Sequence, residues 1–289
     1  MNKDNTIFFT SCDNNYIPYA IVSLQKIRDF VPKARLAIIS HHINKSNIKL
    51  LNSNNVFFYD LNLAEDYKKS WDYPVECFYF LDGPELFYGQ GYKYSVYIDA
   101  DVLCQKDPLL HNIQVEGIAG VPVDDIVNIF GKDYDVIKRL FNNKCTVEAK
   151  NKKRTQSGVL YFNKEYAKTN KMSKKCKQLF NTCLEAGIPR KGDDSLFALY
   201  VYLYVASKKI KYLDEIYNYI RIFHDSDPNK AIFFHFVELK KPWGNRTDNR
   251  YKQQYHIWKQ KYHEILPVST IIRLKKAYIS DSIAKRLKH

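Results

Sequence analysis

Residues 95–103 read Ser-Val-Tyr-Ile-Asp-Ala-Asp-Val-Leu. An apolar strand runs straight into two carboxylates separated by one residue. Side chains at i and i+2 of an extended segment point to the same side, so Asp99 and Asp101 can converge on one cation. Open α/β sheets bind ligands beyond the carboxyl ends of their strands, where this pair falls. Hard oxygen ligands suit Mg²⁺ or Mn²⁺, ions that usually share their coordination with substrate phosphates. On its own the motif is equally a solvated turn with two incidental acids.

Working outward, short apolar runs alternate with helical patterns. Ile7–Thr10, Leu36–Ile39 and Val56–Tyr59 read as strands, with helices over residues 17–30 and 45–51 between them. Ser95–Ile98, Ile118–Val121, Gly158–Phe162 and Ala231–Phe234 read as further strands, and residues 172–186 and 194–206 as helices. Strand–helix–strand order predicts an α/β fold with a mostly parallel central sheet covered on both faces. Residues 71–92 read as aromatic and loop-rich, and Trp71, Tyr73 and Tyr79 there fit either a core or sugar-stacking faces. The charge run Lys150–Arg154 reads as a solvated loop, and Asp124-Asp125 as a turn after a strand rather than the lining of an acceptor cleft.

The chain has 289 residues, 45% of them hydrophobic, enough for a sizeable core. Its formal net charge of +14 attracts polyanions but does not choose among nucleic acid, anionic lipid and phosphorylated substrates. No helix-turn-helix, zinc-finger or aromatic RNA-binding motif accompanies that charge, which argues against a nucleic-acid partner. The six cysteines form no C-x-x-C pair. No signal-type apolar stretch opens the chain and no run of 18 apolar residues occurs, so a reducing, cytoplasmic setting is expected.

Five motifs, in order, resemble the retaining glycosyltransferases of family 8, the group of glycogenin and of bacterial lipopolysaccharide galactosyl- and glucosyltransferases. They are IFFTSCDNNYIPYAIVSLQKI (7–27), VYIDADVL (96–103), QSGVLYFN (156–163), GDDSLFAL (192–199) and HFVELKKPW (235–243). The resemblance implies a GT-A fold, Mn²⁺ (or Mg²⁺), a UDP-sugar donor, and transfer with retention to a glycan or glycolipid hydroxyl. It implies a metal on Asp99, Asp101 and His235, with Ala100 between the carboxylates in the donor site. Asp13 and Asn15 match the loop that holds base and ribose, Lys241 the lysine on the diphosphate, and Ser157 and Gly158 the floor of the donor-sugar site. Asp193 and Asp194 match the carboxylates near the anomeric carbon, although capping of a helix start explains two acids there equally well. His235, in an apolar run, reads on its own as a core histidine; the basic loop after it favours a ligand.

The chain departs from the family pattern at three places. Glu238 stands where Gly is usual. Phe80 stands where an Arg is common, leaving Lys93 or Arg154 to supply that contact. Gly192-Asp193-Asp194 replaces Asp-Gln-Asp. A nucleotide-sugar-binding protein without turnover is the main alternative.

At the C-terminus, Arg273, Lys275, Lys276, Lys285, Arg286 and Lys288 interleave with Ile272, Ile279, Ile283 and Leu287. The expected organisation is a catalytic domain over residues 1–266 and a basic amphipathic helical extension over 267–289. That helix suits an anionic membrane surface on the cytoplasmic side, or packing on the catalytic domain.

Overall fold

A computed structural model describes residues 1, 3–61, 75–125, 128, 130–141, 151–188, 192–237, 241–244 and 248–286. The helices are α1 (Ile17–Arg28), α2 (Lys45–Ser53), α3 (Gly83–Leu86), α4 (Tyr134–Leu140), α5 (Lys164–Thr169), α6 (Met172–Glu185), α7 (Gly192–Tyr204), α8 (Lys252–Ile265) and α9 (Val268–Arg286). The strands are β1 (Thr6–Ser11), β2 (Arg35–Ser40), β3 (Phe57–Asp60), β4 (Tyr94–Ile98), β5 (Val102–Cys104), β6 (Ile118–Asp125), β7 (Lys153–Asn163), β8 (Ile210–Tyr212) and β9 (Phe233–His235).

Seven strands form one sheet in the order β3-β2-β1-β4-β7-β6-β8. Every neighbouring pair is parallel except the two pairs that β7 makes, so one reversed strand sits in a parallel sheet. β5 and β9 form a separate antiparallel ribbon, with Val102 opposite His235.

Period-two alternation divides the core between the two faces. Phe8 in β1 and Val159 and Tyr161 in β7 join the cluster under α1, α2 and α8. Ile7, Phe9, Leu160 and Phe162 join the cluster under α6 and α7. Strands apolar on both faces are what a sheet covered twice requires.

Local chemistry fixes the helix starts. Asp13 Oδ1 accepts from the backbone N–H groups of Asn15 and Tyr16 just ahead of α1. Asn44 caps α2 by accepting from the N–H of Asn47, and Asn163 caps α5.

Several sequence expectations change here. Residues 75–81 form a 3-10 helix rather than a loop, and Tyr79 is fully buried in the core, not presented to a sugar. Residues 153–154 belong to β7, and Lys152 is buried, its ammonium donating to the carbonyls of Val201 and Tyr202 at the end of α7. This lysine satisfies carbonyls that a helix end leaves open. Asp124 and Asp125 extend β6 rather than turn. Trp71, Tyr73, Glu238 and Cys145 lie outside the described residues. Cys12, Cys77, Cys104, Cys176 and Cys183 are free thiols.

The beginning of α9 packs inward: Ile271 and Leu274 are buried in the cluster that holds Trp258 and Tyr262 of α8. Val268 and Ile272 face outward, 72% and 49% exposed. No helix among the described residues is long and apolar enough to cross a membrane.

Candidate active site

β4 ends at Ile98, and the chain turns through Asp99, Ala100 and Asp101 into β5. The Ala100 carbonyl accepts from the Ser23 hydroxyl of α1 at 2.6 Å, which ties the turn to the helix beneath it. β9 pairs with β5, and the Phe236 N–H donates to the Asp101 carbonyl at 3.0 Å. This ribbon delivers His235 from more than a hundred residues away. Its Nε2 lies 3.2 Å from Asp101 Oδ1 and 3.5 Å from Asp99 Oδ2. One ligand atom from each of the three residues lies within 4.8 Å of the others.

β7 reaches the same point because it runs backward. Its early residues sit beside the carboxyl ends of its neighbours, and the Asp99 N–H donates to the Gly158 carbonyl at 2.9 Å. Gly158 thereby meets the His235 ring.

Tyr97 shares the i, i+2 side of Asp99, and its hydroxyl donates to Asp99 Oδ1 at 2.5 Å. That leaves Oδ2 toward His235. Sequence reading missed Tyr97, although the same alternation that aligned the two acids includes it. Phe80, at the position expected to hold Arg, is buried and stacks on Tyr97 with centroids 4.7 Å apart. A ring that backs the Asp99 support thus occupies that place.

The electrostatics separate the two carboxylates. Burial would raise Asp101, but His235 and then Lys241 outweigh it and hold the group well below the ordinary carboxylate range. The Lys241 ammonium donates to Asp101 Oδ2. Asp99 moves the other way: burial pushes it up, His235 opposes, and Asp101 adds to the rise. Two carboxylates and an imidazole gathered this closely fit a hard divalent cation, which would relieve that repulsion. His235 Nδ1 is buried without a hydrogen-bond partner, so strand pairing and close packing orient the ring.

Asp193 and Asp194 open α7. Burial first, then Asp99 and Asp194, push Asp193 up to about 8, against the N–H groups of the helix start. Asp194 is gripped from β7: Arg154 donates to its Oδ2 at 2.5 Å and the Ser157 N–H to its Oδ1 at 3.2 Å. Burial still outweighs Arg154 and leaves Asp194 above the usual range. Arg154 also donates through Nε to Asp124 Oδ1 at 2.8 Å and lies 5.6 Å from the Phe223 ring. The sequence offered Arg154 and Lys93 as alternatives. Arg154 is in the site, whereas Lys93 precedes β4, six residues and roughly 20 Å of extended chain from Asp99.

Asp13 lies at the same end of the sheet, after β1. Its charge reaches Cys77, where burial leads and Asp193 and Asp99 follow in raising the thiol. Cys77 is a site neighbour that no motif flagged. Asn15 is exposed beside Asp13.

A family model described as glycosyl transferase family 8 matches residues 7–247. No curated protein matches the sequence. Among solved structures, the galactosyltransferase LgtC in complex with donor and acceptor sugar analogues is 15% identical, with a TM-score of 0.67 over 91% of this chain and 97% of that one. The glycosyltransferase GlyE of Streptococcus pneumoniae TIGR4 is also 15% identical, with a TM-score of 0.58 over 96% of this chain and 64% of that one. Mouse xyloside xylosyltransferase 1 is 10% identical, with a TM-score of 0.52 over 80% of this chain and 97% of that one. At these identities the likeness shows the fold, which is the GT-A fold of the LgtC-like structures.

Proposed function

The chain belongs to glycosyl transferase family 8, and from that premise we propose that it moves a hexose from a UDP-sugar to a hydroxyl of a glycan acceptor, with retention and with a divalent metal. The observation that carries this reading is the convergence of Asp99, Asp101 and His235, with Lys241 on the outer carboxylate oxygen of Asp101. Asp99, Asp101 and His235 would hold Mn²⁺ or Mg²⁺. Such an ion supplies charge neutralisation for a departing diphosphate. Lys241, the most exposed member of the cluster, is placed to exchange its bond to Asp101 for one to the diphosphate.

Asp13 and Asn15 would hold the nucleoside, and Ser157, Gly158 and Asp194 the donor sugar. Asp194 is fixed by Arg154 and Ser157, which favours a positioning contact to sugar hydroxyls. Asp193, with its pKa pushed up to about 8, is neutral at pH 7 in the free protein. A protonated carboxyl donates a hydrogen bond and is a poor nucleophile. Attack on the leaving group's own face, with the leaving phosphate taking the acceptor proton, is the step proposed. The acceptor proposed is a bacterial surface polysaccharide or lipopolysaccharide, and the basic helix α9 would bring the enzyme to the anionic membrane where lipid-linked glycans are assembled.

The test is release of nucleoside diphosphate from UDP-, GDP- and ADP-sugars, with candidate acceptors, with and without Mn²⁺. UDP-sugars should be cleaved, and only with a divalent ion. Asp101→Asn should lower turnover by about a hundredfold. Full activity in excess chelator would overturn the metal-dependent reading.

A further inference from the structure

Behind the Lys241 loop lies a pocket of about 210 Å³ between α1, residues 242–244, α8 and the start of α9. Its lining is aromatic. Tyr19 of α1 stacks on Trp243 with centroids 4.3 Å apart and planes 13° apart. Trp258 stacks on Tyr262 within α8 at 5.2 Å. The rim carries Lys259 of α8 and Lys275 of α9, with His263 beside them, and among the described residues no acid lines it. Among the described residues neither Lys259 nor Lys275 makes an ion pair. The neighbouring Lys261, by contrast, is tied to both Asp29 and Glu264. Trp258 is fully buried, yet its indole Nε1 has no hydrogen-bond partner.

Packing alone explains the aromatic rings but not the rest. Two lysines lining one mouth repel one another unless an anion lies between them. Aromatic faces take the C–H face of a sugar ring, while the polar tips of Tyr and Trp stay available for hydrogen bonds. Ring-sized volume, an aromatic lining and a cationic rim together describe a site for one acidic sugar.

We propose that this pocket binds an acidic sugar unit, a uronate or phosphate-bearing hexose, belonging to the acceptor glycan. Its role as an acceptor subsite rests on the glycosyltransferase reading; the binding itself does not. The site is separate from the donor cluster but joined to it by sequence. Trp243 stands two residues after Lys241, which donates to Asp101. A ligand stacked on Trp243 therefore steadies the loop that carries the diphosphate lysine.

The test is a titration of the full chain with glucuronate, glucose 6-phosphate, glucose and inorganic phosphate, followed by tryptophan fluorescence, since two of the three tryptophans line the pocket. The acidic sugars should give a saturable change. Glucose and phosphate separately should bind at least fivefold more weakly. Lys259→Gln/Lys275→Gln should lose most of the acidic-sugar response while keeping UDP binding with Mn²⁺. Asp101→Asn, crippled in the donor cluster, should still respond. The inference is overturned if neither acidic sugar binds, if the double variant responds like the parent, or if inorganic phosphate binds as well as glucose 6-phosphate. None of these results bears on the nucleoside diphosphate assay, so the two readings fail separately.

Discussion

The imidazole of His235 rests directly on Gly158: a Cβ at that glycine would lie 2.2 Å from Nδ1 and 2.3 Å from Cε1. No side chain fits there without moving the ring. Gly158 thus owes its place to the histidine above it as well as to any donor sugar. Gly158→Ala should push His235 away from the carboxylates and weaken Mn²⁺ binding by about tenfold to a hundredfold. Calorimetric titration of Mn²⁺ into parent and variant, with circular dichroism to confirm the fold, measures this. Unchanged Mn²⁺ affinity in a folded variant would show that the ring does not hold the ion.

Arg154 joins β6, β7 and α7 by gripping Asp124 and Asp194 together. A lysine has one donor centre and cannot reproduce that fork. Arg154→Lys should leave Asp194 loosely held and lower turnover roughly tenfold to a hundredfold through misplacement of the donor sugar. UDP affinity in the presence of Mn²⁺ should change little, because Asp13 and Asn15, the residues proposed to hold the nucleoside, follow β1 and belong to a different element from Arg154. Steady-state rates together with UDP titration separate the two effects. A loss confined to UDP affinity would contradict this assignment.

What the sequence could show follows from the range of each interaction. Strand–helix order predicted the covered, mostly parallel sheet, and period-two alternation aligned Asp99 with Asp101, because these are effects between near neighbours. The motif order carried His235 and Lys241 to the cluster. The reversal of β7 was not legible, since strands apolar on both faces look alike in either direction. The burial of Lys152 and the place of residues 153–154 in β7 were not legible either, because the groups they meet are far away in sequence. Lys152 finds its carbonyl partners 49 and 50 residues further on, in α7, and Arg154 finds one carboxylate 40 residues further on, in α7, and the other 30 residues back, in β6. Phe80 shows the limit of matching by family: a missing Arg signals a lost charge, but not that the ring backs Tyr97.

Asp193 should make stability depend on pH. Its pKa in the folded chain is pushed up to about 8, against about 4 for an ordinary aspartate. A raised acid favours the protonated fold, so its contribution is fully present below about pH 4 and is lost as pH rises through 8. Asp193→Asn removes the ionisation. In metal-free protein the variant should match the parent near pH 4 and exceed its Tm by about 5 °C at pH 8.5. Thermal melts across that range decide it. A Tm difference that stays constant with pH would mean that Asp193 titrates normally.

The outer face of α9 should bind anionic membrane. Ile271 and Leu274 anchor the helix on the catalytic domain and the Arg273 guanidinium donates to the Ser46 hydroxyl of α2 at 2.9 Å, while Val268 and Ile272 are left in solvent near Lys276. Each cation near an anionic surface contributes on the order of 1 kcal/mol, and a modest apolar insertion adds to that. Truncation at Pro267 alone is an ambiguous test, because it also removes the buried Ile271 and Leu274 and exposes the core beneath them. The sharper variant is Ile272→Ser/Arg273→Gln/Lys276→Gln, which keeps Ile271, Leu274 and Lys275 and removes from the docking of α9 only the exposed Arg273–Ser46 hydrogen bond, a loss that Ser46→Ala alone controls for. Co-sedimentation at low salt should show the parent bound to vesicles containing phosphatidylglycerol and not to neutral phosphatidylcholine vesicles. The triple variant should bind the anionic vesicles at least tenfold more weakly, in line with two lost cations. If the parent ignores anionic vesicles, or the triple variant binds them equally well, α9 serves the fold and not the membrane.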